Sequence, residues 1–481
     1  MAAAGLRLFG LGWGIPELTP ELAAHTPVRS SFHPDEDKTL WQLERMRPSE
    51  LDLDPKDFGW GTLQTYLVGA GLATGSRTGI FGEGGWLAAF RAARAPFFGR
   101  VFVLGRLLAA LFGIATVALV YLVARDCGEA RAGTLAAAVL AVSPLHLLHS
   151  HYLTADVALG FWLLAAAALS LRDRPLAAAF VAGLALATKP SAWVVAPIWW
   201  IGPSPRAVLG RAAAFAAGFL IGEPYALLAF REWFAATAEV ASGVSAPGRA
   251  AVPIARLMLD HGWQVAGYGL GPVAFVAAIV GLRHVPRRLA IPTGLLTLAL
   301  GFSRFPMSRY VVPLVPFLAI AGGLALARLP RRFRAGACVL ALGPSVVSSL
   351  GLIGVLRGEH TASGAARWLA AQAPPGARIA QLWDEIPVLD RERHRLERPL
   401  DPFAIQGTPY AELASDFVIL DDLPIHAWRP ELLADLDRNY EMAAVFSAVP
   451  RLFGAAVPEP WAAHDWKYTH PTIRIYRRRA P

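Results

Sequence analysis

Ten long apolar runs, separated by short connections that mostly carry arginine, constrain this 481-residue chain more than any other feature. They extend over residues 100–124, 132–150, 156–171, 176–188, 191–202 and 207–228, and after a polar loop over 263–282, 289–302, 310–327 and 335–356. A hydrocarbon core about 30 Å thick takes about 20 apolar residues to cross as a helix. In that core every backbone polar group must be satisfied within the chain. The expected fold is therefore a mainly α, polytopic membrane helix bundle, with room for roughly ten to twelve crossings at that length per span. A hydrophobic share of 55% against 17% charged residues agrees, and excludes a string of soluble domains.

The net charge of +9 does not point to nucleic acid, because the arginines sit in short clusters between apolar runs, as the positive-inside rule expects. If residues 32–37 lie outside and the run over 58–75 stays in the interface, every strongly basic connection falls inside. These are Arg125 and Arg131, Arg172 and Arg174, Arg206 and Arg211, Arg283 to Arg288, and Arg328 to Arg334. Keeping that alternation requires the chain to turn at Lys189-Pro190, with two short membrane helices meeting there, rather than pass straight through. Cys127 and Cys338 both fall at inner span ends, where thiols stay reduced, so no disulfide is expected.

Residues 1–16 are too short to span and lack a cleavage site, and are expected to form the outer half of a first transmembrane helix whose beginning is missing. Residues 17–99 read as an outer loop with structure of its own, including a surface helix over 38–47. Residues 100–356 form the multi-span region. After Leu356 prolines and acids return and spanning runs stop, so 357–481 is expected to be a small extracytoplasmic α/β domain. Its helix is expected over 362–373, ended by Pro374-Pro375-Gly376, with strands over 378–382, 417–420 and 472–476.

Within this frame Phe32-His33-Pro34-Asp35-Glu36-Asp37 stands out. Its plain structural reading is a turn fixed by Pro34 and a helix capped by Asp35, with Glu36 and Asp37 at the positive helix end. Its functional reading is a carboxylate pair at the membrane surface able to deprotonate an acceptor hydroxyl. The topology gathers Asp35, Glu36, Asp156, Lys189 and Arg309 at one membrane face, although they are far apart in sequence. Ionisable groups at membrane depth are functional candidates by default. His146, His149 and His151 precede Asp156 at that face without matching a defined metal motif, which leaves room for a divalent metal without requiring one. Asp384, Glu385, Asp421 and Asp422 read as solvated loop acids.

His33-Pro34-Asp35-Glu36, Asp54-Pro55 with Phe58 to Tyr66, Thr154-Ala155-Asp156, Ala187-Thr188-Lys189 and Arg309-Tyr310-Val311-Val312-Pro313-Leu314 together give most of the chain a family likeness. In these motifs it resembles the lipid-carrier-dependent glycosyltransferases of the GT-C class, which include protein O-mannosyltransferases (glycosyltransferase family 39) and aminoarabinose transferases. The resemblance implies a bacterial inner-membrane enzyme of the cell envelope. It would move a hexosyl or pentosyl group from a polyprenyl-phosphate sugar to an extracytoplasmic protein, lipid or glycan acceptor, with inversion. It further implies Asp35 as general base with Glu36 beside it, Asp156 as a second acid, and Lys189 and Arg309, with Tyr310, at the donor phosphate. The chain departs from the pattern in its short first span and in Gly61, where many relatives have proline. Two other classes fit a charged bundle. A lipid or sugar transporter would show two related halves and midplane charges, neither of which is visible here. A non-catalytic membrane subunit would need the outer-face charges to be structural pairs only.

Overall fold

The computed structural model describes residues 1–15, 31–33, 35–93, 97–243, 253–303, 307–381, 393–397, 412–424, 428–460 and 462–479. Pro34, Asp384 and Glu385 lie outside the described residues.

The bundle is built around α1 (Phe97–Cys127), a helix long and apolar enough to cross a membrane, as is α2 (Arg331–Val355). Among the described residues only these two are long and apolar enough singly, and a third if one bent pair is taken as a single span. Local chemistry breaks the other runs. The run over 132–150 stops at Ala141 and restarts as Pro144–His149, because Pro144 cannot donate to the helix ladder and the Ser143 hydroxyl caps the next turn through the His146 amide. The run over 263–282 bends by 113° between Ile254–Gly269 and Pro272–His284. Gly271, at φ +85°, supplies the left-handed backbone of that corner and Pro272 opens the next helix.

The expected turn at Lys189 is observed in altered form. Helix α3 (Pro175–Thr188) ends there, but the return runs through two 3₁₀ segments, Pro190–Val194 and Ala196–Trp200, in place of a second α-helix. Helix α4 (Pro205–Gly222) then lies beside α3 in the same direction, since Gly210 faces Leu176, Gly218 faces Phe180 and Gly222 faces Ala187. A Cβ on Gly183 or Gly218 would collide with the backbone of the other helix, so the two glycines permit the close approach that packs helices in lipid.

Ion pairs join several basic connections at one end of the bundle. Asp126 takes Arg172 at 2.8 Å, and Asp173 takes Arg288 at 2.6 Å. Connections 125–131, 172–174 and 283–288 are thereby at the same end, as their charge implied.

At the other end Glu36–Arg45, Leu63–Arg77 and Gly85–Arg91 form a layer of short helices over the start of α1. Phe81, Phe90, Phe98 and Phe102 fill its core, which continues into Leu369, Ile379, Phe417 and Ile475 of the C-terminal region. There a five-stranded mixed sheet has the order Arg395–Glu397, Arg378–Ala380, Phe417–Leu420, Ile473–Arg478, Tyr440–Phe446, with the first three strands parallel and the last two pairings antiparallel. Its helix, Thr361–Gln372, and the strand Phe417–Leu420 sit where the sequence places them; the helix Pro430–Asn439 and the strand Tyr440–Phe446 were not foreseen.

Candidate active site

Asp35 is the residue before helix Glu36–Arg45, but its carboxylate makes no cap hydrogen bond. The capping explanation therefore fails, and the side chain is used across the fold instead. It meets the Arg309 guanidinium at 2.5 Å, with Lys38 at 3.8 Å on its other side. Burial by itself raises the Asp35 pKa, yet Arg309, then His33, Lys38 and Lys189, hold it below the usual carboxylate value. The group is an anion at neutral pH, kept so chiefly by one guanidinium.

Glu36, one residue on, takes a different partner and is fully buried. Arg106 of α1 grips both its oxygens at 2.7 and 2.5 Å, while the Ser31 hydroxyl donates to one and the Leu153 amide to the other. Arg106 also donates to the Leu11 and Trp13 carbonyls. The two acids that look equivalent in sequence thus occupy different environments: Glu36 ties the first segment, the outer helices and α1 together, and Asp35 faces the cations.

Those cations arrive from separate elements. Lys189 follows the end of α3 in extended backbone and reaches Asp156, at the first turn of helix Asp156–Leu171, at 2.6 Å. Trp60 lies under it, with the ring centroid 5.2 Å from the Lys189 ammonium and 4.8 Å from that of Lys38. Gly61 is what allows this approach, since a Cβ there would meet the carbonyls of Ala187 and Thr188. The departure at position 61 thus has a packing reason. Arg309 stands on the 3₁₀ turn Ser308–Val311, and Tyr310 receives both cations near its ring, Lys189 at 5.9 Å and Arg309 at 6.0 Å.

Asp465, which sequence reasoning missed, completes the group. Its carboxylate accepts from the Ser308 hydroxyl at 2.6 Å and the Arg309 amide at 2.9 Å, and lies 3.5 Å from the Arg309 guanidinium. Arg309 is thereby held between Asp35 and Asp465, while burial and the two carboxylates act on it in opposite senses and leave it firmly charged. Only the separation of Asp465 from Arg309 by 156 residues hid it; His464-Asp465-Trp466 carries no motif. Arg7 and Arg106, both fully buried, were missed as well; Arg7 donates to the Leu140 and Ala141 carbonyls.

The three histidines do not form a joint metal site. His146 accepts from Arg7 at 3.0 Å, and His151 is within hydrogen-bond reach of the Phe9 and Leu147 carbonyls. Among the described residues no three His, Cys, Asp or Glu side chains converge as metal ligands.

Residues 78–191 match the family model for dolichyl-phosphate-mannose-protein mannosyltransferases. No curated protein sequence matches the chain. Among solved structures, ArnT from Cupriavidus metallidurans superposes with a TM-score of 0.50 in its apo state, at 15% identity, covering 98% of this chain and 96% of ArnT. The same enzyme bound to undecaprenyl phosphate gives 0.51 at 14% identity with the same coverage. The oligosaccharyltransferase of Archaeoglobus fulgidus matches at a TM-score of 0.46 and 13% identity, over 96% of this chain and 73% of its own. The GT-C resemblance seen in the motifs is borne out in fold along the chain and in sequence over residues 78–191.

Proposed function

We propose that this chain is an inverting membrane glycosyltransferase that transfers a sugar from a polyprenyl phosphate to an acceptor hydroxyl at the outer face of the plasma membrane. The observation that carries the proposal is the pairing of the Asp35 carboxylate with Arg309, beside the Asp156–Lys189 pair, at one end of an ArnT-like fold. Transfer with inversion needs a base on the attacking hydroxyl and positive charge where the phosphate leaves, with no covalent enzyme intermediate. Asp35 is the base. Arg309 and Lys189, beside Tyr310, take the phosphate, and Asp156 orients Lys189. Glu36 is a positioning residue.

The geometry gives the two halves an order. While Arg309 lies on Asp35, the carboxylate is a weak base and the charged guanidinium is occupied by a protein anion. An arriving phosphate competes for Arg309 and loosens its hold on Asp35, whose burial then raises its basicity. Asp465 keeps the Arg309 backbone in place during that exchange. The base is thus strengthened only when a donor is bound.

Arg309→Lys checks the phosphate assignment. A guanidinium offers fork-shaped donors that an ammonium lacks, so affinity for undecaprenyl phosphate in nanodiscs should fall about tenfold while the protein stays folded. An unchanged affinity removes Arg309 from the donor site.

The same proposal sets the domain division near residue 356 and puts the C-terminal region outside the cell. What supports it is that Asp465 and Asp35 share one end, opposite Asp126, Asp173 and Arg288. Single cysteines at Met442 and at Arg283, in a chain with Cys127 and Cys338 replaced by serine, should differ in intact cells. A membrane-impermeant maleimide should label position 442 and spare 283; labelling of both overturns the topology. Comparative mass spectrometry of envelope glycoconjugates, with and without the gene, then identifies acceptor and sugar.

A further inference from the structure

Beside the charged group, one set of buried polar atoms is left without hydrogen-bond partners among the described residues. It comprises Nε2 of His33, both ring nitrogens of His149, Oγ1 of Thr154, one carboxylate oxygen of Asp156 and Oε1 of Gln64. All five residues are at most 3% exposed. An unpartnered buried polar group costs about 1–3 kcal/mol, so such a concentration within one neighbourhood is unusual for a core.

The five residues are linked through shared neighbours. His33 and His149 flank the Tyr152 ring, with centroids 4.2 and 6.4 Å from it. Gln64 donates to the Thr154 carbonyl at 3.0 Å, two residues before Asp156. The Pro144–His149 helix packs against the Ser308–Val311 turn that carries Arg309. The patch therefore borders both Arg309 and the Asp156–Lys189 pair.

Its chemistry selects the class of ligand. None of the five residues is a lysine or arginine and one is a carboxylate, so the patch itself does not suit a phosphate, and among the described residues no three metal ligands come together. Burial holds His33 below its usual pKa, so its imidazole is neutral at pH 7. Imidazoles and a hydroxyl can both donate and accept, while the amide and carboxylate oxygens accept. That is what a ring bearing several hydroxyls requires, since each hydroxyl both donates and accepts.

We infer that His33, His149, Thr154, Gln64 and the free oxygen of Asp156 form the subsite that hydrogen-bonds the hydroxyls of the donor's sugar ring, next to the phosphate-binding cations. This rests on the proposed polyprenyl-phosphate chemistry, and it is tested separately from it. Binding is measured in nanodiscs for undecaprenyl phosphate alone and for undecaprenyl phosphates carrying mannose, glucose, arabinose or aminoarabinose. Wild type should prefer one sugar-bearing lipid over the bare lipid by about tenfold or more, because a site built to hydrogen-bond hydroxyls discriminates strongly against their loss. His149→Phe and Thr154→Val should each remove most of that preference while leaving affinity for the bare lipid within about twofold of wild type. Arg309→Lys, by contrast, should weaken every member of the series. If His149→Phe fails to fold, the near-isosteric Thr154→Val decides alone. Retained preference in the folded variants, or equal loss for bare and sugar-bearing lipids, overturns the subsite. Wild type that binds undecaprenyl phosphate but no sugar-bearing lipid more tightly overturns the subsite alone. Wild type that does not bind undecaprenyl phosphate takes the donor proposal down with it.

Discussion

Asp35→Asn is expected to lower sugar transfer by about a hundredfold or more, the scale of a lost general base, while leaving the protein folded and able to bind the donor. Stability should hold because the Asp35 carboxylate caps no helix, and because Arg309 keeps Asp465 as an anionic partner when Asp35 is neutralised. Donor affinity should hold or rise, since Arg309 no longer has to leave a competing carboxylate. The measurement is transfer by purified protein in lipid, with melting temperature and undecaprenyl phosphate binding alongside. Full activity of Asp35→Asn would pass the search for the base to Asp156.

The pH profile gives the same assignment a second readout. If Asp35 is the base, activity requires it ionised; burial raises its pKa and Arg309 is the largest influence lowering it. The acid limb of the wild-type profile should therefore lie at low pH. In Arg309→Met the lowering influence is gone while burial remains, so the acid limb must move to higher pH in whatever activity survives. A limb that stays in place would mean that a different group titrates.

The second large effect is structural. Arg106→Leu should destabilise the protein by about 3–5 kcal/mol, the cost of stranding one half of a buried ion pair. It leaves the Glu36 carboxylate buried with only the Ser31 hydroxyl and the Leu153 amide, and frees the Leu11 and Trp13 carbonyls. Glu36→Gln should be milder, because an amide can keep hydrogen bonds to Arg106 and Leu153, although Arg106 then lacks its counter-charge. Thermal unfolding in nanodiscs separates the outcomes. Equal melting temperatures for wild type and Arg106→Leu would show that Glu36 and Arg106 do not fasten the first segment to α1, and would return Glu36 to the catalytic candidates.

The sequence by itself determined the features that depend on local or periodic chemistry. Apolar runs separated by basic connections specified a membrane bundle, because hydrocarbon excludes unpaired backbone, and ion pairs join three of those connections at one end. Helix 156–171 was legible to the residue, since its ends are marked by Asp156 and by the polar turn after Leu171. Asp156, Lys189 and Arg309 stood out as isolated charges at the ends of apolar stretches, and Asp35 through the acidic run that follows Pro34. Where two spans are bent or rejoined by 3₁₀ turns was less legible, since a proline or glycine permits a break without fixing its angle. Only the tertiary structure decided which partner each charge takes. Asp35 and Glu36 are adjacent in a helix start and chemically similar, yet successive residues on a helix point about 100° apart. One therefore meets Arg309 and the other Arg106. Asp465 lies in no motif and reaches the site only because the C-terminal sheet packs over the outer helices through Ile379, Phe417 and Ile475. Pairings across 70 or 156 residues leave no periodic trace in a single chain; they arise when packing brings buried charges to the one counter-charge that offsets their desolvation.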